Sequence, residues 1–573
     1  MNLSRRRFLR SSATLAAGAA GARIFKVTPA NADVSCPPPP GFPAGIELYQ
    51  QGFENWAGDI VVDDLWTCAP RTDADLVALA NWAYAAGYTL RARGKMHTWS
   101  PLTVTPETSL ASALVVLVDT TQHLTAMQIV SASPAAVKVQ TGATMEDLLT
   151  FLEQAGYGLT ATPAPGDLTI GGVLAIGGHG TAIPAQGETR TPGHTYGSLS
   201  NLIVSLTAVV WDAALSRYEL RTFDRSHPDC KAFLTHLGRA FLTEVTLRVG
   251  ANQDLRCVSH VDIPATELFA SPGSGAARTF QSFVEQAGRA EVIWFPFTSH
   301  PWLKVWSVRP TKPLLSRPVL SPYNYPFSDN IPAPVSDLAD RIVSGEGALT
   351  PLFGQVGYDA AVAGLTATLG YDLWGKSKNL LLYVKPTTLT VTANGYAVVT
   401  SRANIQRVVA EFTSAYQSKL DTYCAQGRFP INSPVEIRVT GLDDPGDVEV
   451  AGAETPALSA ARYRPDHPEW DVAVWLDVLT FPGTPDADVF YAEIEAWIFS
   501  NYTGSYATVR PEWSKGWGYT GAGAWTNTSV LTSTIPAELE SGPSPGWTFA
   551  VTTLDRYDPH RVFSNPFLDA LLS

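Results

Sequence analysis

The chain has 573 residues, which is too long for one hydrophobic core and predicts two or three domains. Its formal net charge of −13 argues against nucleic acid or an anionic membrane as a partner, because both require a basic face. The ten histidines show no H-x-H or H-x-x-x-H spacing and the five cysteines no C-x-x-C pair, so no metal site and no disulfide framework are predicted.

Residues 1–32 are typical of an export signal. Residues 4–9 (SRRRFL) match the twin-arginine pattern, a small-residue apolar run follows over 13–22, and Ala30 and Ala32 offer a cleavage site. Neither this run nor any later one reaches the roughly 20 apolar residues that a membrane span needs. The sequence therefore predicts a protein that is secreted through twin-arginine export and has no transmembrane segment.

The next 200 residues alternate between helical and strand patterns. The predicted helices and strands, in chain order, are helix 73–87, strands 114–118 and 137–140, helix 144–156, and strands 202–211 and 242–249. Such alternation, with glycine-rich loops between the elements, predicts an α/β domain over about residues 46–250.

After residue 250 the pattern changes to aromatic-rich strands separated by proline-rich loops. The predicted strands are 292–297, 303–308, 380–384, 435–439 and 472–479, and the predicted surface loops are 310–334 and 451–468. Loops of this length are usually functional covers or disordered segments. From residue 511 the sequence is rich in turn signals again.

Two glycine-containing turns stand about seventy residues apart in the first half. Residues 91–100 (RARGKMHTWS) form a basic turn that reaches a histidine, and residues 165–180 contain two Gly-Gly pairs. Glycine lets the main chain approach a ligand closely, so both turns can offer backbone N–H groups to a diphosphate.

The two turns together resemble the FAD domain of the vanillyl-alcohol-oxidase/p-cresol-methylhydroxylase superfamily. The resemblance implies an α+β fold: a two-part FAD-binding domain (46–250 and 505–573) and an inserted substrate-binding cap domain (251–504) built on a large antiparallel sheet. It implies that the cofactor-binding residues are Arg93, Gly94, Lys95, Met96, His97, Thr98, Trp99, Ser100, Thr169, Gly171, Gly172, Gly177, Gly178, His179 and Gly180.

In that superfamily a histidine at the place of His97 often carries the flavin covalently. Relatives whose flavin is attached twice have a cysteine in the second glycine turn, and here residues 164–168 (APGDL) contain none. The resemblance therefore implies FAD attached through His97 alone. The alternative is that His97 is an ordinary loop histidine.

Two strands and one later segment offer catalytic side chains. Glu436 and Arg438 are two residues apart, hence on one face of a strand, and resemble the Glu-x-Arg strand of the alditol- and aldonolactone-oxidase branch. Glu291 begins an apolar strand, where desolvation would raise its pKa and make it a base. Asp477 is a lone acid in an apolar strand, and Lys515 resembles a family lysine, although Glu512 replaces the family's histidine. Each of the carboxylates could instead be a solvated or structural charge.

The substrate prediction rests on aromatic loops that could cover a large apolar ligand. These aromatic residues are Tyr323, Tyr325, Phe327, Tyr371 and Trp374. The whole pattern resembles the family of type II cholesterol oxidases, which implies sterol and O2 as substrates, hydrogen peroxide as a product, and transient contact with sterol-bearing membranes.

That resemblance assigns the hydroxyl proton to Glu436 or Asp477, charge stabilisation to Arg438, and isomerisation to the 4-en-3-one to Glu291 or Glu436. The alternatives are an alditol, lactone or other alcohol oxidase of this fold, a flavin-linked dehydrogenase, and a secreted sterol- or glycan-binding protein without catalysis.

Overall fold

The computed structural model describes residues 37–109, 114–325, 333–386, 388–541 and 546–573. The predicted export signal and Phe327 lie outside these ranges. Within them the α-helices are α1 (Asp73–Ala86), α2 (Met145–Gln154), α3 (Ile170–Ala175), α4 (Cys230–Leu234), α5 (Ala265–Leu268), α6 (Phe280–Ala287), α7 (Ala333–Val343), α8 (Thr350–Thr368), α9 (Ser377–Leu381), α10 (Ile405–Ala425), α11 (Ala487–Asn501), α12 (Ile535–Glu540), α13 (Trp547–Tyr557) and α14 (Pro566–Leu571).

The strands form four sheets. The strands are β1 (Glu47–Glu54), β2 (Val61–Ala69), β3 (Thr89–Arg93), β4 (Val115–Asp119), β5 (Met127–Ala132), β6 (Ala135–Gln140), β7 (Tyr157–Gly158), β8 (Ile203–Asp212), β9 (Arg217–Asp224), β10 (Phe241–Arg248), β11 (Gly250–Ala251), β12 (Asp254–His260), β13 (Arg289–Trp294), β14 (Trp302–Val308), β15 (Arg317–Pro318), β16 (Asp372–Lys376), β17 (Thr392–Thr400), β18 (Val435–Gly441), β19 (Val472–Thr480) and β20 (Ala507–Pro511).

The two predicted helices of the first part are confirmed, and their capping residues explain their limits. The Thr72 side chain caps the start of α1, and Gly87 ends it in the left-handed conformation at φ 72°. Thr144 caps α2 in the same way, with Asp147 reaching back to the Thr144 N–H. Both helices bury a leucine-rich stripe, so local sequence and packing agree.

The first part of the chain contains a four-stranded sheet, in the order β1-β2-β4-β3, and a five-stranded sheet, in the order β5-β6-β10-β8-β9. Strand β4 pairs in parallel with β2 and with β3. Helix α1 connects β2 to β3, the two parallel strands that flank β4, as a crossover connection between parallel strands requires. The core beside this sheet includes Leu76 of α1, Val116 of β4 and Phe563 from the far end of the chain.

The second part is organised around a nine-stranded sheet in the order β15-β16-β12-β14-β13-β18-β19-β17-β20. Every neighbouring pair is antiparallel except β15 and β16, which confirms the predicted large antiparallel sheet and the α+β class. Glu291 of β13 lies opposite Lys304 of β14 on one side and Arg438 of β18 on the other. Directly opposed residues share a sheet face, so these three charges form one row.

Two predictions of local structure are wrong. Residues 380–384 are not a strand: Ser377–Leu381 is helix α9, and Val384 makes only an isolated bridge with Pro165. A short apolar run fits a buried helical turn as well as a strand, so periodicity did not distinguish them. The turn-rich sequence after residue 511 also forms helices, α12, α13 and α14.

Residues 505–573 divide between the two parts of the molecule. Strand β20 belongs to the nine-stranded sheet, where it pairs with β17. The later residues return to the first part, since Leu90 N–H donates to the Val562 carbonyl at 2.8 Å. In the described ranges, no helix combines the length and the apolar character needed to cross a membrane. The four described cysteines are free thiols.

Candidate active site

A cavity of about 480 Å³ lies between the glycine turns of the first part and the nine-stranded sheet. Most of the residues predicted to bind cofactor or substrate line it. The lining includes Arg93, Gly94, Lys95, Met96, His97, Thr98, Trp99, Thr169, Gly171, Gly172, Gly177, Gly178, His179, Glu291, Glu436, Arg438 and Lys515. The volume is within the range of small-molecule sites.

The two glycine turns contact each other along one wall of the cavity. A Cβ added to Gly94 would collide with the Thr169 side chain, so only glycine permits this approach. Met96 in the same turn has φ 58°, a conformation that side chains rarely adopt. Gly172 and Gly177 expose their main chain to the cavity. Gly177 has φ 66°, a left-handed conformation that favours glycine at this position. This glycine-lined wall fits the diphosphate of a dinucleotide.

His97 is held at the other end of this wall. Its Nε2 lies 2.9 Å from Asp167 Oδ2, and its ring stacks on Trp56 with centroids 4.5 Å apart. The other ring nitrogen, Nδ1, makes no hydrogen bond to any residue that the structure describes. The contacts therefore fix the ring plane while leaving one nitrogen available to a ligand.

Two of the predicted cofactor residues lie behind the cavity wall. The Ser100 hydroxyl donates to the Trp513 carbonyl at 2.7 Å, away from the cavity. Gly180 packs against the Thr162 main chain, which leaves no room for a Cβ. Both positions support the turns from outside.

The turn that carries His97 is closed by the last 61 residues of the chain. Trp99 N–H and Ser100 N–H both donate to the Ser514 carbonyl, at 2.8 and 3.2 Å. The Asn565 side-chain amide donates to the Pro101 carbonyl at 3.0 Å. Without these late residues the turn would lose all three of these hydrogen bonds.

The opposite wall of the cavity carries the buried row of charges from the large sheet. Lys304 Nζ lies 2.5 Å from Glu291 Oε2, and the Tyr383 hydroxyl donates to the same oxygen at 2.7 Å. Burial raises the pKa of Glu291, but Lys304, Arg438 and these hydrogen bonds outweigh it, and the pKa lies below its usual value. Glu291 is therefore an ionised carboxylate, and the prediction that desolvation raises its pKa is wrong because the strand pairing brings Lys304 and Arg438 beside it.

A second group of carboxylates surrounds Arg438. Its guanidinium donates to Asp477, which also accepts from the Lys515 ammonium. Glu436 and Glu512 lie farther away, at 3.7 and 3.9 Å from the same guanidinium nitrogen. Three carboxylates thus share two cations, so the three carboxylates are expected to have different pKa values.

The pKa values of the three acids diverge because their partners differ. Burial raises the pKa of Asp477, but Lys515 and Arg438 outweigh it and the value is lowered. Burial raises the pKa of Glu436 more than Arg438 and Lys515 lower it. Burial and the negative charge of Asp477 raise the pKa of Glu512 to about 7. Such separation is typical of acid–base sites.

His179 is a neutral hydrogen-bond acceptor between these two walls. Burial and the nearby Arg438 lower its pKa to about 3, and its ring stacks on Trp475 with centroids 3.6 Å apart. Nδ1 donates to the Gly180 carbonyl at 2.9 Å, so the neutral ring has its lone pair on Nε2. Nε2 is buried without a hydrogen-bond partner among the described residues, which suits a polar ligand atom.

The far end of the cavity is apolar. Its lining there consists of Ile293, Phe295, Trp302, Tyr325, Val335, Phe353, Gly357, Ala360 and Phe481. Of the described aromatic loop residues predicted to cover the substrate, only Tyr325 lines the cavity. Tyr323, Tyr371 and Trp374 lie outside it, because they pack at the β15–β16 edge and around the end of α8.

Sequence reasoning missed several side chains of the site. Lys304 was overlooked although it is the one charge in the apolar strand β14, a pattern that could have flagged it. Tyr383, Trp56 and Asp167 carry no comparable local signal. Asp477 was predicted, but it lies behind Arg438 and does not line the cavity.

Comparison with known proteins agrees with this architecture. A family model described as "FAD binding domain" matches residues 66–217, and one described as "Cholesterol oxidase, substrate-binding" matches residues 254–573. No curated protein matched the chain.

Solved structures are similar over almost the whole chain. A "solvent-stable cholesterol oxidase" is 59% identical with a TM-score of 0.92, over 94% of this chain and 100% of that one. The cholesterol oxidase of Brevibacterium sterolicum and a histidine-to-alanine variant of it are each 47% identical with a TM-score of 0.91, over 94% of this chain and 99% of theirs. The chain therefore belongs to the family of FAD-dependent cholesterol oxidases.

Proposed function

We propose that the chain oxidises the 3β-hydroxyl of cholesterol or a related sterol to the ketone. The observation that carries the proposal is a single cavity with an apolar end and a charged end, where Glu436 and Arg438 meet the glycine turns. Bound FAD would accept the hydride from C3 and pass two electrons to O2, giving hydrogen peroxide. The similarity to solved cholesterol oxidases supports the choice of a sterol.

Glu436 is the base that takes the hydroxyl proton in this proposal. Its carboxylate faces the cavity and makes no hydrogen bond to the described residues, so it is free to contact substrate. Its raised pKa favours uptake of a proton. Asp477, the alternative base, is committed to Arg438 and Lys515 and positions these cations instead. Arg438 then stabilises the oxygen as its proton leaves.

Glu291 is the residue that moves a proton within the ketone product in this proposal. It is ionised, and it lies next to Arg438 in the row of charges that lines the cavity. We assign to it the transfer of one proton from carbon 4 to carbon 6 of the steroid, which converts the 5-en-3-one to the conjugated 4-en-3-one. The proton is returned to the product, so no electrons are exchanged in this step.

His97 would hold the FAD covalently. Asp167 and Trp56 orient the ring, and Nδ1 is the nitrogen left to form the bond. The test is the His97→Ala variant: its flavin should be released by acid denaturation, whereas flavin should stay on the wild-type chain. Acid-stable flavin in the variant would overturn the assignment.

Export is a separate part of the proposal. The twin-arginine pattern at residues 4–9 supports secretion of the folded protein. Replacement of Arg5, Arg6 and Arg7 by lysine should leave the protein inside the producing cells with unchanged activity.

The decisive experiment mixes the purified holoenzyme with cholesterol in the absence of O2 and follows the flavin absorbance. Bleaching, followed by recovery in air with release of peroxide, is the expected result. The Glu436→Gln variant, with flavin bound, is the matched control and should not bleach. Bleaching by an alditol or lactone but not by cholesterol would overturn the sterol proposal. Failure of air to restore the colour would indicate a dehydrogenase.

A further inference from the structure

Four leucines at one end of the molecule are almost fully exposed. Leu314, Leu315 and Leu320 are 92, 88 and 93% exposed, and Leu369 is 74% exposed. They are the most exposed large apolar side chains in the described part of the chain. Isolated exposed leucines are ordinary, but four together indicate an interaction surface. We call them the leucine edge.

The leucine edge is held in place by defined contacts. Strand β15 pairs with β16 at the margin of the nine-stranded sheet. The Arg317 guanidinium donates to the Thr368 carbonyl, which brings the 314–320 loop beside Leu369. The Ser316 hydroxyl donates to Asp372 at 2.8 Å. The exposed side chains therefore project from an ordered loop.

The same loop is basic in an otherwise acidic protein. Residues 309–321 (RPTKPLLSRPVLS) contain Arg309, Lys312 and Arg317 and no acid. The nearby Asp372 is already paired with Arg256, at 2.7 Å. This loop is thus locally positive, although the whole chain has a net charge of −13. Apolar side chains flanked by lysine and arginine are typical of segments that lie in a lipid interface.

The leucine edge is connected to the substrate cavity by two segments of chain. Helix α8 lines the apolar end of the cavity with Phe353 and Gly357 and ends next to Leu369. Tyr325, five residues after Leu320, also lines the cavity. The leucine edge is therefore joined through the chain to the apolar end of the cavity and not to the glycine turns.

We propose that the leucine edge docks the protein on a lipid bilayer, with its leucines among the acyl chains and its basic side chains at anionic headgroups. The sterol would then pass from the bilayer to the apolar end of the cavity. This inference rests on the proposed sterol oxidation. A second copy of the chain fits less well, since a two-fold contact would place this basic loop against the same basic loop of the other copy.

The test compares binding of the holoenzyme to vesicles with its turnover. The wild-type protein should co-sediment with vesicles of phosphatidylcholine and phosphatidylserine. The fraction that co-sediments should be smaller at high salt or when phosphatidylserine is omitted. The Leu314→Ser/Leu315→Ser/Leu320→Ser variant should lose about tenfold or more in binding. It should oxidise vesicle sterol proportionally more slowly, and cyclodextrin-delivered sterol at the wild-type rate. The Leu215→Ser/Leu220→Ser variant, on the distant β8–β9 hairpin, should behave as wild type.

The outcomes separate the docking surface from the proposed function. Failure of the wild-type protein to bind vesicles, or wild-type behaviour of the triple variant, would overturn the docking surface while cyclodextrin turnover still reports sterol oxidation. A wild-type dimer that the triple variant converts to monomer, without a change in vesicle binding, would show that a second copy covers the leucines. Absence of cyclodextrin turnover in the wild type would overturn the sterol oxidation itself.

Discussion

Asp558, which is buried, and Glu436, which is partly exposed to the cavity, show how differently this protein uses its carboxylates. Asp558 Oδ1 accepts from the Tyr218 hydroxyl and from Val562 N–H, the latter at 3.0 Å. Oδ2 accepts from Arg239 and from Phe563 N–H, the latter at 3.0 Å. Four donors leave this carboxylate no capacity for a ligand, and it joins the last helices to the first part of the chain.

Glu436 is the opposite case. Its only charged partner within 4 Å among the described residues is Arg438, at 3.7 Å, and 24% of its side-chain surface is exposed to the cavity. A buried polar group without full hydrogen bonding costs stability. The comparison teaches that a carboxylate with four donors holds the fold together, whereas a carboxylate with unused acceptor capacity, such as Glu436, is available for chemistry.

The largest expected effect comes from removing the free carboxylate. Glu436→Gln should lower kcat by about 10²–10⁴-fold, the usual contribution of a positioned base. Its thermal midpoint and bound flavin should remain near wild type, because the carboxylate makes no structural hydrogen bond. Stopped-flow flavin reduction and a thermal melt measure both. Near wild-type turnover would contradict the role of Glu436 and erase the contrast with Asp558.

Asp558→Asn should show the reverse behaviour. Loss of the charge of Asp558 should cost about 3–5 kcal/mol of unfolding free energy, because it breaks a buried ion pair and leaves Arg239 with only the half-exposed Asp555 as a counter-charge. Turnover per bound flavin should hardly change. The control is Arg561→Gln, which removes two half-exposed pairs, with Asp555 and with Asp569, and should cost about 1 kcal/mol or less. Equal losses in both variants would refute the structural role of Asp558.

Lys304→Met should sharpen the assignment of Glu291. Removing the cation removes the main cause of the lowered pKa, so Glu291 should take up a proton at higher pH than before. A base must be ionised, so the ratio of 4-en-3-one to 5-en-3-one should fall several-fold in mildly acidic buffer. Lys304→Arg should retain the wild-type ratio. A ratio that does not depend on pH in either variant would remove Glu291 from isomerisation.

The smallest effect concerns Glu512, whose pKa is about 7 instead of 4.5. Between these pH values the folded protein keeps a proton that the unfolded chain releases, so stability should fall as pH rises through this window. Glu512→Gln should abolish this part of the fall, a difference of roughly 2–4 °C in thermal midpoint. Parallel midpoint curves for variant and wild type would show that Glu512 is not protonated in the folded protein.

The parts of the site that could be predicted are those whose residues lie close together in the sequence. The glycine turns and the Glu436–Arg438 pair are local patterns, and the structure brings them to one cavity. Lys304 and Tyr383 were not predicted because their role depends on contact with Glu291. Lys304 is 13 residues from Glu291 and reaches it through strand pairing, and Tyr383 is 92 residues away and reaches it from a loop. Pairing of distant strands is set by the whole sheet and cannot be derived from one strand.

The fold was predictable to a similar degree. Helices α1 and α2 have capping residues and apolar stripes, so their limits follow from sequence. Helix α9 has neither signal, and its three buried leucines (380–382) fit a strand equally well. A large antiparallel sheet was predicted, but the order of its strands, which positions Glu291 beside Arg438, was not.

The closing of the turn that carries His97 by Ser514 and Asn565 has a consequence for biogenesis. The ribosome synthesises the turn that carries His97 long before Ser514 and Asn565. Until those two residues are made, the turn lacks the hydrogen bonds that close it. In the proposed function, incorporation of the cofactor therefore follows synthesis of Ser514 and Asn565. A chain truncated before residue 513 is expected to lack the closed turn and to remain an apoprotein.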